Sequence, residues 1–244
     1  MSSVNSIKLA ATLCVVVLAV APVVAEAGVV VSASGPSAGS YPVGRKIGED
    51  ERIVLRAGDA LTVLDGKGTR VLRGAGTYTL SQQSGASASG AFAVLTRQRS
   101  ATRMRTGAVR SEEAEGPATR PNLWYVDVAA PGTMCLPGGG GVRLWRADST
   151  EFATYTVTAA AGGKAARVVF GEGDMLSAWD EEALPLSDGS SFTISAPGGT
   201  AVPISFKVLG EVPDDPEALA GKLIENGCAG QLELLSSALM LPEG

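Results

Sequence analysis

Residues 53–80 read IVLRAGDALTVLDGKGTRVLRGAGTYTL, and this stretch decides the fold class of the first half of the chain. It consists of short aliphatic and β-branched runs that are separated by Gly- and Asp-containing turns at 57–59, 65–68 and 74–76. Runs of this kind between such turns are typical of β-hairpins. We therefore predict a small antiparallel β-meander or barrel-like domain, and we assign it to residues 28–105.

The turns of this stretch resemble those of FecR-type domains, which are periplasmic β domains of bacterial envelope sensor and regulator proteins. The residues that carry the resemblance are the GD turn at 58–59, the DG turn at 65–66 and the sequence LRGAGTY at 72–78. The resemblance covers about residues 53–80. It implies a β fold and a signalling context in the cell envelope, and it implies no binding site.

The composition restricts the chemistry that this chain can perform. The chain has 244 residues and a formal charge of −5, and it contains no His. The absence of His excludes imidazole metal sites and nucleophiles activated by His, and the acidic balance disfavours nucleic-acid binding. Because no catalytic motif is recognisable either, we predict a non-enzymatic protein without a metal or another cofactor. The alternative is a carboxylate-dependent envelope enzyme acting on glycan, which would need two carboxylates about 5–10 Å apart.

The start of the chain has the pattern of a secretory signal peptide. The apolar run LAATLCVVVLAVAPVVA at 9–25 follows a polar start whose only charge is Lys8, and an A-x-A pattern follows at 25–27. This pattern predicts a signal peptide over 1–27, cleaved before Gly28, and export to the periplasm or the exterior of a bacterium. If the run is not cleaved, it would be a membrane anchor, and only then would the membrane be a partner.

Cys135 and Cys228 are the two cysteines that remain beyond the predicted signal peptide. In an oxidising compartment, a pair of this kind predicts one disulfide. The alternative, a reactive or metal-binding thiol pair, has neither a C-x-x-C spacing nor an adjacent basic residue in its favour.

One segment concentrates positive charge, with acidic residues directly after it. The arginines of this segment are Arg97, Arg99, Arg103, Arg105 and Arg110, and Glu112, Glu113 and Glu115 follow. One interpretation is an anion-binding patch for an acidic glycan, a lipid headgroup or the acidic surface of an envelope protein. The other is a solvated edge that discourages aggregation. We expect residues 92–105 to extend a strand and residues 106–122 to be a linker.

Residues 123–209 predict a second β domain with the character of an immunoglobulin-like sandwich. Gly, Pro and Asp turns separate its candidate strands, which lie at 123–128, 142–146, 153–158, 166–170, 191–195 and 202–208. All three tryptophans, Trp124, Trp145 and Trp179, lie in this part. We expect them to fill its core. The alternative is an exposed aromatic face for a sugar or peptide, formed by Trp179.

Residues 210–244 predict a helical tail that is tethered by the disulfide. Asp215 can cap a helix that has Pro216 at its first position and ends before Gly227. A second short helix from Ala229 would place four apolar residues on one side: Leu232, Leu235, Leu239 and Met240. We expect these stripes to lie against the sandwich, where Cys228 would reach Cys135. A groove for a partner helix is the alternative.

Together these features predict a mainly β, exported, non-enzymatic protein. Its expected role is binding or assembly in the cell envelope, or service as an accessory to a sensor. The predicted ligand is an envelope protein, an acidic glycan or a lipid headgroup, and the predicted contact residues are the arginine-rich segment and Trp179.

Overall fold

The computed structural model describes residues 26–81, 89–97, 120–139 and 141–241. Strands make up 39% and helices 17% of the described residues, which confirms the prediction of a mainly β protein. Residues 1–25 of the predicted signal peptide lie outside the described residues.

The first sheet has four antiparallel strands in the order β2-β1-β4-β5. These strands are β1 (Glu26–Ser34), β2 (Lys46–Gly48), β4 (Ala60–Asp65) and β5 (Gly68–Arg73). A separate pair consists of β3 (Ile53–Leu55) and β6 (Gly76–Tyr78). The strands expected within residues 53–80 are therefore present, and β1 adds a nine-residue strand before them.

This first sheet is buried on both faces. Val30 of β1 packs with side chains of β3, β4 and β5 in one core cluster. Its neighbours Val29 and Val31 belong to a different cluster, which also contains Leu64. Because successive side chains of a strand point to opposite faces, the apolar residues at 29–31 pack into two different cores.

A buried ion pair closes the hairpin between β4 and β5. The Nη2 atom of Arg70 lies 2.7 Å from Oδ2 of Asp65. Arg70 also donates a hydrogen bond to the carbonyl oxygen of Leu80, and Asp65 accepts from the backbone N–H groups of Lys67 and Gly68. Asp65 supplies the opposite charge that allows the burial of Arg70.

The second half of the chain forms two facing sheets. The larger has the order β11-β10-β13-β14-β8 and the smaller has the order β12-β9-β7. The larger contains β8 (Gly132–Pro137), β10 (Ala153–Ala159), β11 (Ala165–Phe170), β13 (Ser191–Ser195) and β14 (Ala201–Leu209). The smaller contains β7 (Tyr125–Asp127), β9 (Arg143–Trp145) and β12 (Leu176–Ala178).

A core cluster that includes Leu144, Ile194 and Phe206 draws its residues from both of these sheets. Two pairings are parallel, β8 with β14 and β7 with β9. β8 and β12 were not predicted from the sequence, because neither has the run of β-branched residues that is typical of a strand.

Residues Ser89–Thr96 form a helix, α1, and not the strand that was expected over 92–105. Phe92 and Leu95 are its buried residues. They lie three positions apart, which is the spacing of a helix face, so the prediction of a strand was wrong for this part of the segment. The remainder of the expected strand, from residue 98 onward, lies outside the described residues.

Two helices form the tail as predicted. In α2 (Pro216–Glu225), the Asp215 side chain accepts a hydrogen bond from the N–H of Ala218 at 2.8 Å, which confirms the N-cap. Gly227 has a φ of +70°, a conformation that favours glycine, and α3 (Ala229–Ala238) begins two residues later. Met240 is 48% exposed and not buried as expected, because it lies beyond the end of α3.

The tail contacts both sheet systems, not the second one alone. A shared core cluster contains Leu64 of the first sheet, Leu209 of the larger second sheet, and Leu219 and Leu235 of the tail helices. After α3 the chain also runs beside β5. There the Thr69 N–H donates to the carbonyl of Leu239 at 2.8 Å, and the Leu241 N–H donates to the carbonyl of Thr69 at 2.9 Å.

A disulfide and a side-chain amide attach α3 to β8. Cys135 and Cys228 form the predicted disulfide, with their Cα atoms 5.8 Å apart, and both residues are fully buried. The Oε1 atom of Gln231 accepts the Cys135 N–H at 2.6 Å. The Nε2 atom of Gln231 donates to the carbonyls of Cys135, at 2.9 Å, and Leu123, at 3.0 Å. The amide therefore hydrogen-bonds to β8 as a neighbouring strand would.

Replacing Gln231 by Glu should lower the free energy of unfolding by about 3 kcal/mol or more. A carboxylate cannot donate to the two carbonyl groups, and its charge would be buried. Urea unfolding of the oxidised protein, followed by Trp fluorescence, measures this change. The control is Glu233→Gln on the exposed side of α3, which should alter stability by less than about 0.5 kcal/mol. If Gln231→Glu were as stable as the original protein, the amide would not hold α3 to β8.

Candidate functional site

The predicted arginine-rich patch is described only at its first residue. Arg97 follows α1 directly, and its side chain is exposed. Arg99, Arg103 and Arg105 lie outside the described residues. The prediction that these four residues bind an anion therefore stays a prediction.

The two ends of this segment are fastened to each other. The Asn122 side chain donates to the carbonyl of Arg97 at 3.0 Å, and the Leu123 N–H donates to the carbonyl of Leu95 at 3.0 Å. The Trp124 indole N–H donates to the carbonyl of Thr96 at 2.7 Å. Three successive residues thus satisfy the carbonyl groups at the end of α1. The end of α1 and the residues that lead into β7 are therefore held side by side.

Trp179 does not form an exposed aromatic face. It is 6% exposed, and its ring contacts Phe192 and Phe206 edge to face, with ring centroids 4.9 and 5.5 Å apart. Its indole N–H donates to the carbonyl of Leu184 at 2.8 Å. The core interpretation is therefore the correct one for Trp179.

The other two tryptophans are buried as well, but Trp124 belongs to a different core from the one expected. It packs in the cluster around the helices and not between the two sheets of the second half.

The carboxylates with shifted pKa values are bound to backbone N–H groups. Hydrogen bonds from the backbone N–H groups of Arg56 and Ser37 lower the pKa of Asp59. Hydrogen bonds from the backbone and hydroxyl groups of Thr150 lower the pKa of Asp148. In the described part of the chain, no group of three or more His, Cys, Asp or Glu residues could hold a metal ion. These carboxylates therefore stabilise turns.

Two of the cavities that open in the described part of the chain have defined walls. One, of about 530 Å³, lies at the end of β10 and the start of β13 among small and apolar residues, with Lys164 at its wall. The other, of about 290 Å³, lies where the β7–β8 connection meets the start of α3, and we call it the junction cavity. Its wall is formed by Arg120, Asp127, residues 130–134, Ile204, Gly227 and residues 229–231.

Arg120 and Asp127 give the wall of the junction cavity one positive and one negative charge, and neither residue was predicted from the sequence as a site residue. The Nε atom of Arg120 is buried and has no hydrogen-bond partner among the described residues. Burial lowers the pKa of Arg120, whereas the nearby charge of Asp127 raises it. A single Arg before a Pro in a predicted linker has no sequence pattern that indicates a cavity. Only the tertiary structure shows that Arg120 lines one.

Replacing Trp124 by Phe should cost about 1–3 kcal/mol more stability than replacing Trp145 by Phe. Both substitutions remove the same atoms from a buried position, 6% and 3% exposed. Trp124→Phe also leaves the Thr96 carbonyl without its donor, whereas the Trp145 Nε1 atom has no hydrogen-bond partner to lose among the described residues. Urea unfolding of both variants measures the difference, and equal losses would mean that the bond to α1 contributes nothing.

None of the helices in the described part of the chain has the length and apolar character needed to span a membrane. No protein-family model matches this sequence, and no curated protein is significantly similar to it. The candidate sites of this chain are therefore identified from its own structure.

Proposed function

We propose that this chain is an exported, non-enzymatic protein of the bacterial cell envelope that binds an envelope component or takes part in assembly. The observation that carries the proposal is the buried disulfide between Cys135 and Cys228. Stable disulfides form in oxidising compartments such as the periplasm, and they are rare in the cytosol. The apolar run at 9–25 supplies the matching export signal.

We further propose that the second half is related in architecture to immunoglobulin-like sandwiches. The last two strands, β13 and β14, lie beside β10, and β11 extends that sheet. β9 pairs with β12 in the facing sheet. This corresponds to the C–F–G sheet with C′ added, and to the B–E pair, of an immunoglobulin variable domain. The parallel pairing of β7 with β9 and the disulfide to α3 depart from that pattern.

The FecR-type resemblance of residues 53–80 supports a sensor-accessory version of the same function. Two of the turns that carry it are held by side-chain carboxylates, Asp59 at one and Asp65 at the other. The alternative function, a carboxylate-dependent enzyme acting on glycan, would need a general acid with a raised pKa. Asp59 and Asp148 have lowered pKa values instead. Neither of these two carboxylates is that acid, and the binding function is the one that we propose.

The position of β1 bears on where the signal peptide would be removed. β1 begins at Glu26, and Glu26 pairs with Gly48. Gly28 is buried, and a Cβ atom added to it would lie 2.8 Å from the Val63 side chain and 3.2 Å from that of Leu80. Cleavage before Gly28 would place a charged amino terminus at this buried position, which is unfavourable. Ala25 is also a small residue, so we propose cleavage between Ala25 and Glu26.

The exported protein is therefore expected to begin at Glu26. The measurement is the intact mass of the protein recovered from the periplasm or medium of a bacterial host, together with sequencing of its first residues. A protein that begins at Gly28 would contradict the structural argument for the cleavage position. A protein that keeps residues 1–25 would contradict cleavage itself.

We propose that the partner is an envelope protein, an acidic glycan or a lipid headgroup that contacts the arginine-rich segment. A bait with Arg97, Arg99, Arg103 and Arg105 replaced by Gln should lose a partner that the unmodified, oxidised bait recovers from envelope extract. The loss is expected because charge-assisted contacts to an anionic partner require the guanidinium groups. Mass spectrometry of the bound proteins and glycans, and binding to vesicles with and without anionic lipid, are the measurements.

A second bait with the same change in charge controls for nonspecific electrostatics. It carries Gln at four exposed basic positions elsewhere: Arg52, Arg56, Lys164 and Arg167. This bait should retain the partner. If both altered baits lose it equally, the arginine-rich segment is not the binding site. If the unmodified bait recovers nothing specific, the binding function itself fails.

A further inference from the structure

The disulfide between Cys135 and Cys228 is enclosed where α3 meets β8. Both cysteines are 0% exposed, and both belong to the core cluster that joins the tail helices to the two sheet systems. Disulfides form and break when a thiolate reaches one of the sulfur atoms, so the reaction depends on access. The bond can therefore exchange with a thiol from solution only when α3 has left β8.

Noncovalent contacts hold α3 near both of its ends. The Gln231 amide bonds to β8 near the start of the helix, and Thr69 of β5 makes two backbone hydrogen bonds to the residues that follow the helix. Among the described residues, the core clusters around Ile53 and around Ile194 contain no member of α2 or α3. The tail can therefore open while these two cores stay intact.

The disulfide restricts this opening by shortening the tether of the tail. Cys135 of β8 lies opposite Lys207 of β14, where the two strands pair. Without the bond, the connection from Lys207 to Cys228 would be the tether of an open tail. Closing a loop of roughly 20 residues by a disulfide favours the closed state by a factor of about a hundred.

We propose that the Cys135–Cys228 disulfide is a redox latch that controls whether the tail covers both sheet systems. In the reduced chain, α3 leaves β8 about a hundredfold more often, and the cluster around Leu64, Leu209 and Leu235 opens to water. Closing the latch transfers two electrons and two protons from the two thiols to the disulfide of a thiol oxidant, which becomes a dithiol. A dithiol reductant reverses the step through a mixed disulfide.

The latch makes the closed fold depend on the compartment. A chain kept reduced before export would have a tail that opens, and oxidation after export would enclose the bond and protect it from later reduction. This consequence rests on the proposed function, whereas the latch itself is a property of the fold. Experiments on the purified protein test the latch alone, and sequencing of the exported protein tests export.

The first test is the rate at which dithiothreitol reduces the oxidised full chain, measured by alkylation of the new thiols and mass spectrometry. Reduction in buffer should be at least about a hundredfold slower than in concentrated urea. Gln231→Glu should raise the rate in buffer about tenfold or more, because it weakens the docking of α3. Glu233→Gln, on the exposed side of α3, should leave the rate unaltered. Equal rates in buffer and in urea for the unmodified protein would overturn the proposal.

The variant Ile53→Ala separates opening of the tail from unfolding of the whole chain. Ile53 is 0% exposed in a core cluster without tail residues, so its truncation lowers the global stability and leaves the contacts of α3 in place. It should not change the rate of reduction in buffer. An increase equal to that of Gln231→Glu would mean that global unfolding exposes the bond, and the proposal would be wrong.

Hydrogen exchange followed by mass spectrometry tests the latch without a Gln231 variant. In the double variant Cys135→Ala/Cys228→Ala, the backbone amides of α3 should exchange about a hundredfold faster than in the oxidised protein. The amides of β10 and β13 should change by less than about tenfold. Unchanged exchange in α3, or an equal increase in α3 and in these strands, would contradict a latch on the tail.

Discussion

The side-chain amide of Gln231 is the interaction on which the arrangement of the sheets depends. Gln231 is 1% exposed, and its amide bonds to both the N–H and the carbonyl of Cys135. β8 is an edge strand that pairs with β14 on its other side, so the amide occupies an edge that would otherwise be open. The disulfide from Cys228 fastens the same turn of α3 to the same residue. Together they set where the tail helices lie.

The tail helices in turn bury apolar faces of both sheet systems. Leu64 of the first sheet and Leu209 of the larger second sheet pack with Leu219, Leu223 and Leu235 in one cluster. Without α2 and α3, each sheet would expose apolar side chains to water. The hydrophobic effect therefore makes α2 and α3 a central part of the fold. The same arrangement creates the junction cavity, because α3 begins beside the β7–β8 connection.

The sequence predictions succeeded where the signal is local and failed where it depends on distant residues. The cap at Asp215 and the turn at Gly227 depend on conformations of a few neighbouring residues, and both were recognisable. The segment at 92–97 was assigned to a strand, because alternation over few residues does not distinguish a strand from a helix. Its helical state is stabilised by Asn122 and Trp124, which lie about 25 residues away along the chain.

The sequence by itself determined the mainly β class, the hairpin between β4 and β5, the capped tail helices and the residues that form the disulfide. These features follow from turn chemistry, from capping and from the count of cysteines. Only the tertiary structure decided that Arg70 is buried beside Asp65, that Trp179 is enclosed and that Arg120 faces a cavity. The physical reason is that burial and charge pairing depend on which distant side chains come into contact, and the residue types alone do not determine those contacts.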